Sequence, residues 1–201
     1  MSDLLQRDRL VFKQATKLIE MNIDFAILDE EGNEVGRVRQ EGQSQLKKLA
    51  RFVSSLDQFM THTLAVYDAS GAKVLELTRP RKVFKSTVLV NDGGGAEVGK
   101  IVQENMVGKI HFALQDATGG TIGAIRAENW RAWNFSLQDA SGAEVGRITK
   151  TWEGLARTVF TTADHYILEM SPATSGLLRT LMLASAAGVD LALKQDARGL
   201  G

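Results

Sequence analysis

Apolar and polar residues alternate in short runs along most of the chain, and the runs repeat. "FAILDEEGNEVGRVRQ" (Phe25 to Gln40) is echoed by "LAVYDASGAKVLELTR" from Leu64 and "TVLVNDGGGAEVGKIVQ" from Thr87. "FALQDATGGTIGAIRAE" from Phe112 and "FSLQDASGAEVGRITKT" from Phe135 complete the set. Each copy places Asp first, Gly three residues later and Val or Ile six later: Asp29/Gly32/Val35, Asp68/Gly71/Val74, Asp92/Gly95/Val98, Asp116/Gly119/Ile122 and Asp139/Gly142/Val145. The Asp carboxylate suits a turn because it accepts from its own downstream backbone. Gly suits the left-handed position of a type I turn with a bulge. The flanks alternate at period two, so each copy predicts a hairpin with one buried and one wet face.

Extending this reading predicts twelve strands: Leu10–Gln14, Phe25–Asp29, Glu34–Gln40, Thr63–Asp68, Lys73–Arg79, Lys85–Asn91, Glu97–Glu104, Lys109–Gln115, Thr121–Glu128, Trp133–Asp139, Glu144–Thr151 and Asp164–Met170. Strands at this spacing with turn signals between them indicate an all-β sandwich or barrel. Ser44–Phe52, "SQLKKLARF", interrupts with a helical spacing of Leu46, Leu49 and Val53 behind a Ser cap. No Pro- or Gly-rich linker divides residues 1–201, so a single domain is expected.

One long apolar run, "RTLMLASAAGVDLALKQD" (Arg179 to Asp196), breaks the β pattern. Only ten residues between Arg179 and Asp190 lack a charge, whereas a helix that crosses a bilayer needs about twenty. Leu177, Leu178, Leu181, Met182, Leu183, Ala184, Ala186, Ala187, Val189, Leu191, Ala192 and Leu193 nevertheless cover the whole helical circle. A helix that is apolar all round has to be surrounded. A closed sheet of about twelve strands has an interior wider than side chains alone can fill. The run is therefore expected to be a buried C-terminal helix on a barrel axis, not a transmembrane segment.

Composition narrows the function. Lys+Arg and Asp+Glu are both 24, so no global field favours nucleic acid, and any anion site must come from local clustering. The absence of cysteine excludes disulfides, thiolate metal sites and palmitoylation. The start, "MSDLLQRDRLVFKQ", mixes charge through its apolar residues and reads as no signal peptide, so a cytoplasmic location, with peripheral membrane contact, is expected.

"VGRITKTWEGLARTVFTTADHYILEM", Val145 to Met170, resembles the C-terminal half of the phospholipid scramblase and LURP-one-related family. There a G-[KR]-I-[ST]-K-x-W-x-G segment precedes F-T-x-A-D and a hydrophobic helix ending in an acidic residue. Gly146, Arg147, Ile148, Thr149, Lys150, Trp152 and Gly154 match, as do Phe160, Thr161, Ala163, Asp164 and Asp190. The resemblance implies the tubby-like fold, a closed barrel of about twelve antiparallel strands around a C-terminal hydrophobic helix. In that family calcium binding is ascribed to an acidic loop around F-T-x-A-D. Here Asp164 has Thr162, His165, Ser171, Pro172 and Ala173 as neighbours, so no calcium site and no metal are expected, and calcium-dependent scrambling is not expected either.

The remaining motifs give one candidate site. "GGAEVGK" (Gly94 to Lys100) has phosphate-loop spacing, but Ile101 stands where Ser or Thr should hold magnesium, and a strand pattern follows it. His62, His111 and His165 show no metal-ligand spacing. No nucleophile elbow is present, so neither catalysis nor a cofactor is expected. Trp130, Trp133 and Trp152 read as strand anchors or barrel rim. "TRPRKVFKS" gathers Arg79, Arg81, Lys82 and Lys85 around Pro80, at a strand exit where side chains are expected to be exposed. Four cations there suit an anionic ligand or a phospholipid headgroup, and Lys47, Lys48 and Arg51 form a second basic face. The expected function is a non-catalytic barrel that binds an anionic ligand or membrane surface peripherally. The rival reading is a structural or protein-interaction module with no lipid role.

Overall fold

The computed structural model describes residues 2–14, 24–41, 62–80, 86–105, 109–128, 134–149 and 165–196, with the backbone alone for 189–196. All twelve expected strands are present, with bounds within two residues of expectation. They are β1 (Arg9–Gln14), β2 (Asp24–Leu28), β3 (Glu34–Glu41), β4 (His62–Asp68), β5 (Lys73–Arg79), β6 (Thr87–Asp92), β7 (Glu97–Gln103), β8 (His111–Asp116), β9 (Thr121–Ala127), β10 (Asn134–Asp139), β11 (Glu144–Thr149) and β12 (His165–Met170). Each pairs antiparallel with its sequence neighbours, and β1 pairs with β12, which closes the sheet into a barrel. Closure leaves no sheet edge exposed. The expected helix at Ser44–Phe52 lies outside the described residues.

The repeated turns have the geometry that their residues dictate. Gly32, Gly71, Gly95, Gly119 and Gly142 all have positive φ, between 83 and 92°. In the last copy, the Ser141 and Ala143 amides donate to Asp139 Oδ1 at 2.8 and 3.1 Å, and the Gly142 amide donates to the Asp139 carbonyl at 3.0 Å. The strand register shifts by one beside each turn, as between Leu137 and Gln138. The type I turn with a bulge is therefore found five times over, including within "GGAEVGK", where Gly95 occupies the left-handed position. These turns join β2–β3, β4–β5, β6–β7, β8–β9 and β10–β11, so in an antiparallel barrel all five lie at one end, the turn end. The other connections, including β5–β6, lie at the opposite loop end.

Alternate residues of the strands fill the interior. Leu64 and Val66, Leu75 and Leu77, Val88 and Val90, Phe112 and Leu114, and Phe135 and Leu137 are all buried within one core cluster. Phe12 stacks on Tyr166 with ring centroids 5.2 Å apart, and Phe25 meets the same ring edge-on. Helix α1 (Gly176–Asp196) runs through this space. Every residue from Leu181 to Gly188 is buried, more than two turns, so the helix is covered on all sides. It contacts β5, β6, β7, β8, β12 and the short 3-10 helix Asp3–Gln6.

A second glycine recurs in the repeats and explains how the helix fits. Gly36, Gly99, Gly123 and Gly146 each follow the Val or Ile of the copy, on the inner face. A Cβ on Gly99 would stand 2.4 Å from the Gln115 carbonyl oxygen and 3.1 Å from a Leu181 methyl. On Gly123 it would meet the Gln138 carbonyl at 2.5 Å and Leu178 at 2.8 Å. On Gly36 the intruded side chain is Leu4 of the 3-10 helix, at 2.9 Å. The wall is thinned to bare backbone where helical side chains press against it.

Arg179 fastens the helix at the turn end. Its Nε donates to the Leu5 carbonyl at 2.7 Å, Nη1 donates to the Ser171 and Thr174 carbonyls at 3.1 Å each, and Nη2 bonds Asp8 Oδ1 at 2.7 Å. Only 7% of its side chain is exposed. The charge is tolerated because nearly every donor has an acceptor.

Candidate functional site

The expected basic site divides. β5 alternates Leu75, Leu77, Arg79 on its inner face, and Arg79 is 2% exposed. The expectation of an exposed Arg79 is thus corrected: period-two alternation carries it inward, and Pro80 ends the strand only after that turn of the pleat. Arg81, Lys82 and Lys85 lie outside the described residues, in the stretch that joins β5 to β6 at the loop end. Lys47, Lys48, Arg51, Trp130, Trp133, Trp152 and Asp164 also lie outside them.

Arg79 belongs to a polar arc around the loop-end interior. It pairs across the ladder with His62, itself 3% exposed. His62 Nδ1 is 3.2 Å from Gln40 Nε2. On the other side, the Ser86 amide donates to Gln103 Oε1 at 3.3 Å, and the Gln103 amide donates to the Ser86 carbonyl at 2.9 Å. Gln40, His62, Arg79, Ser86 and Gln103 thus come from β3, β4, β5, the residue before β6, and β7, which are five successive positions around the wall. Gln103 pairs with Phe112 on β8, and Phe12, Phe25, Phe112 and Phe135 are buried and apolar around the rest of the interior. Sequence reasoning missed this arc because its members are spread over more than sixty residues. The usable signal was that Gln40, Arg79 and Gln103 each continue an inward period-two series one step past an aliphatic residue.

On the outer wall, several basic residues are matched locally. Lys73 Nζ bonds Glu41 at 2.8 Å and Glu76 at 2.9 Å, and Tyr67 donates its hydroxyl to Glu41. Hydrogen bonds from Lys73 and then from Tyr67 hold the Glu41 carboxyl below its usual range, and the same contacts with Glu41 and Glu76 raise the Lys73 ammonium. Arg147 lies 2.8 Å from Glu128 and 2.5 Å from Glu144, and Ser136 donates to Glu144 at 2.7 Å. Arg37 pairs with Glu34 at 2.8 Å and Lys100 with Glu97 at 3.2 Å. These pairs balance the charges of Lys73, Arg147, Arg37 and Lys100.

The turn aspartates act as structural acceptors. Hydrogen bonds from the Ser70, Thr118 and Ser141 hydroxyls, followed by backbone amides, hold Asp68, Asp116 and Asp139 below the usual aspartate range. Burial pushes Asp29 upward, but bonds from the Asn33 side chain and amide, with Arg7 nearby, outweigh it and leave the carboxyl lowered. The turn amides converge on Oδ1 of each carboxylate. Among the described residues no group of three or more His, Asp or Glu side chains is placed to hold a metal ion, and no helix is long and apolar enough to cross a membrane.

The sequence model of the Scramblase family matches residues 1–193, nearly the whole chain. The chain belongs to the scramblase family. This scramblase-family barrel accordingly includes the helix within the matched region, as part of the fold and not an appendage. Searches of curated proteins and of solved structures returned no match.

Proposed function

We propose that this scramblase-family barrel is a non-catalytic module that binds an anionic phospholipid surface peripherally at its loop end. The observation that carries the reading is the β5–β6 connection. β5 ends at Arg79 and β6 begins at Thr87, and the residues between Pro80 and Ser86 are Arg81, Lys82, Val83, Phe84 and Lys85, three cations and two apolar residues with no acid. The stretch concentrates positive charge in a chain of zero net charge. Each basic residue at an anionic surface contributes about 1 kcal/mol. Arg79 is buried and is not counted among the surface cations.

The test is co-sedimentation of the wild type and an R81Q/K82Q/K85Q variant with phosphatidylserine-containing vesicles at low salt, with Arg79 left intact. The reading expects the variant to lose binding while its circular dichroism and melting are unchanged. Equal pelleting of both proteins would remove the connection from the account and favour a protein-interaction module.

A further inference from the structure

The turn between β6 and β7 differs chemically from the other four. Asp92 is followed by Gly93, whereas Asp29, Asp68, Asp116 and Asp139 are followed by Glu30, Ala69, Ala117 and Ala140. Asp92–Gly93 is the one Asp-Gly pair in the chain. The fold itself demands this glycine. A Cβ at position 93 would collide with the Lys73 carbonyl oxygen of β5, which is backbone and not a side-chain end that could swing aside.

The Asp92 carboxylate is also the least engaged of the five. Asp68, Asp116 and Asp139 each accept a hydroxyl at 2.6 Å, from Ser70, Thr118 and Ser141, besides their turn amides. Asp29 accepts the Asn33 side chain on its second oxygen at 3.1 Å. Asp92 has Gly94 where three of the other copies have a hydroxyl residue. Among the described residues it accepts the Gly94 and Ala96 amides alone, both on Oδ1 at 2.9 Å. Gly93, Gly94 and Gly95 are all exposed, so water reaches the turn.

We propose that Asp92–Gly93 is a site of spontaneous covalent isomerisation, at which the chain link moves from the α-carboxyl to the β-carboxyl of Asp92. The Gly93 nitrogen attacks Cγ of the protonated carboxyl. The N–Cγ bond forms, one carboxyl oxygen leaves as water with the amide proton, and a five-membered succinimide closes. Water then adds back. Breaking the new N–Cγ bond restores Asp92, and breaking the original bond from that nitrogen to the Asp92 carbonyl carbon leaves an isoaspartyl link. No oxidant or reductant takes part, and the mass returns to that of the starting chain. A Cβ at position 93 would crowd the attacking nitrogen, and successive glycines leave the backbone free to reach the ring geometry. The product inserts a methylene into the main chain of the turn. It also exchanges the carbonyl that receives the Gly95 amide at 3.0 Å with the carboxylate that receives Gly94 and Ala96. The inference holds whatever the loop end binds, because the turn lies at the other end of the barrel.

The test is ageing of the full folded chain for some weeks at body temperature in mildly acidic solution, which supplies the proton that leaves with the water. Isoaspartate is read by methyl transfer from S-adenosylmethionine with a protein-isoaspartate methyltransferase, and it is located by peptide mapping. The β-linked form should accumulate at residue 92, through a transient species lighter by one water, while Asp29, Asp68, Asp116 and Asp139 stay α-linked. Gly93→Ala would unseat the turn, so the variants are made at Asp92. Asp92→Asn keeps an acceptor in the turn and should give the same product sooner, with ammonia released in place of water. Asp92→Glu keeps the charge but would have to close a larger ring, so it should lose the label at 92. The wild-type map decides the matter even where a variant fails to fold. Aged wild type with no β-linked residue at 92, or with label spread evenly over the five turns, would overturn the inference. Label that persists at that position in Asp92→Glu would do the same.

Discussion

A Cβ on Gly146 would stand 2.5 Å from Met182 Cε, and 2.4 Å from the carbonyl oxygen of Glu169 on the neighbouring strand. The thioether end could swing aside, but the Glu169 carbonyl belongs to the β11–β12 ladder and cannot move without breaking it. Gly146→Ala should therefore destabilise the barrel by about 1–3 kcal/mol, the usual cost of forcing extra volume into a packed interior. Urea unfolding measures it; an unchanged midpoint would mean that helix and wall are less closely packed than described.

Gly142 offers the opposite case. A Cβ there meets nothing within 4 Å, yet φ is 83°. Gly142→Val should cost roughly 1–2 kcal/mol through backbone strain alone, because a β-branched residue resists positive φ. Gly119, with φ of 92°, should respond in the same way. Melting curves unchanged by both substitutions would contradict the turn geometry.

The lowered turn carboxylates set the acid limit of stability. Asp68, Asp116 and Asp139 ionise below the ordinary value of 3.8 in the folded barrel. The unfolded chain thus takes up protons first. The stabilisation is fully present above that ordinary value and is lost as pH falls through the lower folded values. Unfolding free energy measured from pH 5 downward should decline steadily below about pH 4. In a D116N/D139N variant the decline should be shallower, and an equally steep one would assign the acid sensitivity elsewhere.

Much of this architecture was legible in the chain. Asp139 and Gly142 announce their turn because an Asx hydrogen bond and a left-handed Gly are local requirements, met within five residues. α1 announced its burial because Leu181, Leu183, Ala184 and Ala187 leave no polar face. The role of Gly36, Gly99, Gly123 and Gly146 was not legible, because what excludes a side chain there is a carbonyl on the next strand and a side chain of α1 or the 3-10 helix. Arg79 was misplaced because Pro80 and the adjacent cations suggested a solvated exit, whereas the Leu75–Leu77 alternation had already fixed its direction. The arc of Gln40, His62, Arg79, Ser86 and Gln103 exists only once five strands stand side by side.

The helix as core also has a direct consequence. Full burial of Leu181, Met182 and Leu183 stabilises by about 1.5–3 kcal/mol each, against a total stability of about 5–15 kcal/mol for an ordinary domain. A chain truncated after Met170 should be insoluble or unfolded, read from expression and far-ultraviolet circular dichroism. A soluble, β-rich truncation that had only lost membrane association would show that the helix is an anchor.

The central claim, a folded barrel held at anionic membranes by charge alone, is tested most directly by the salt dependence of vesicle binding. The fraction of full-length protein that pellets with phosphatidylserine vesicles should be high at low ionic strength. It should fall steeply as salt shortens the screening length from about 30 Å at 0.01 M toward about 8 Å at 0.15 M. Near-ultraviolet circular dichroism should stay constant throughout. Pelleting that survives high salt, or no pelleting at low salt, would contradict the account.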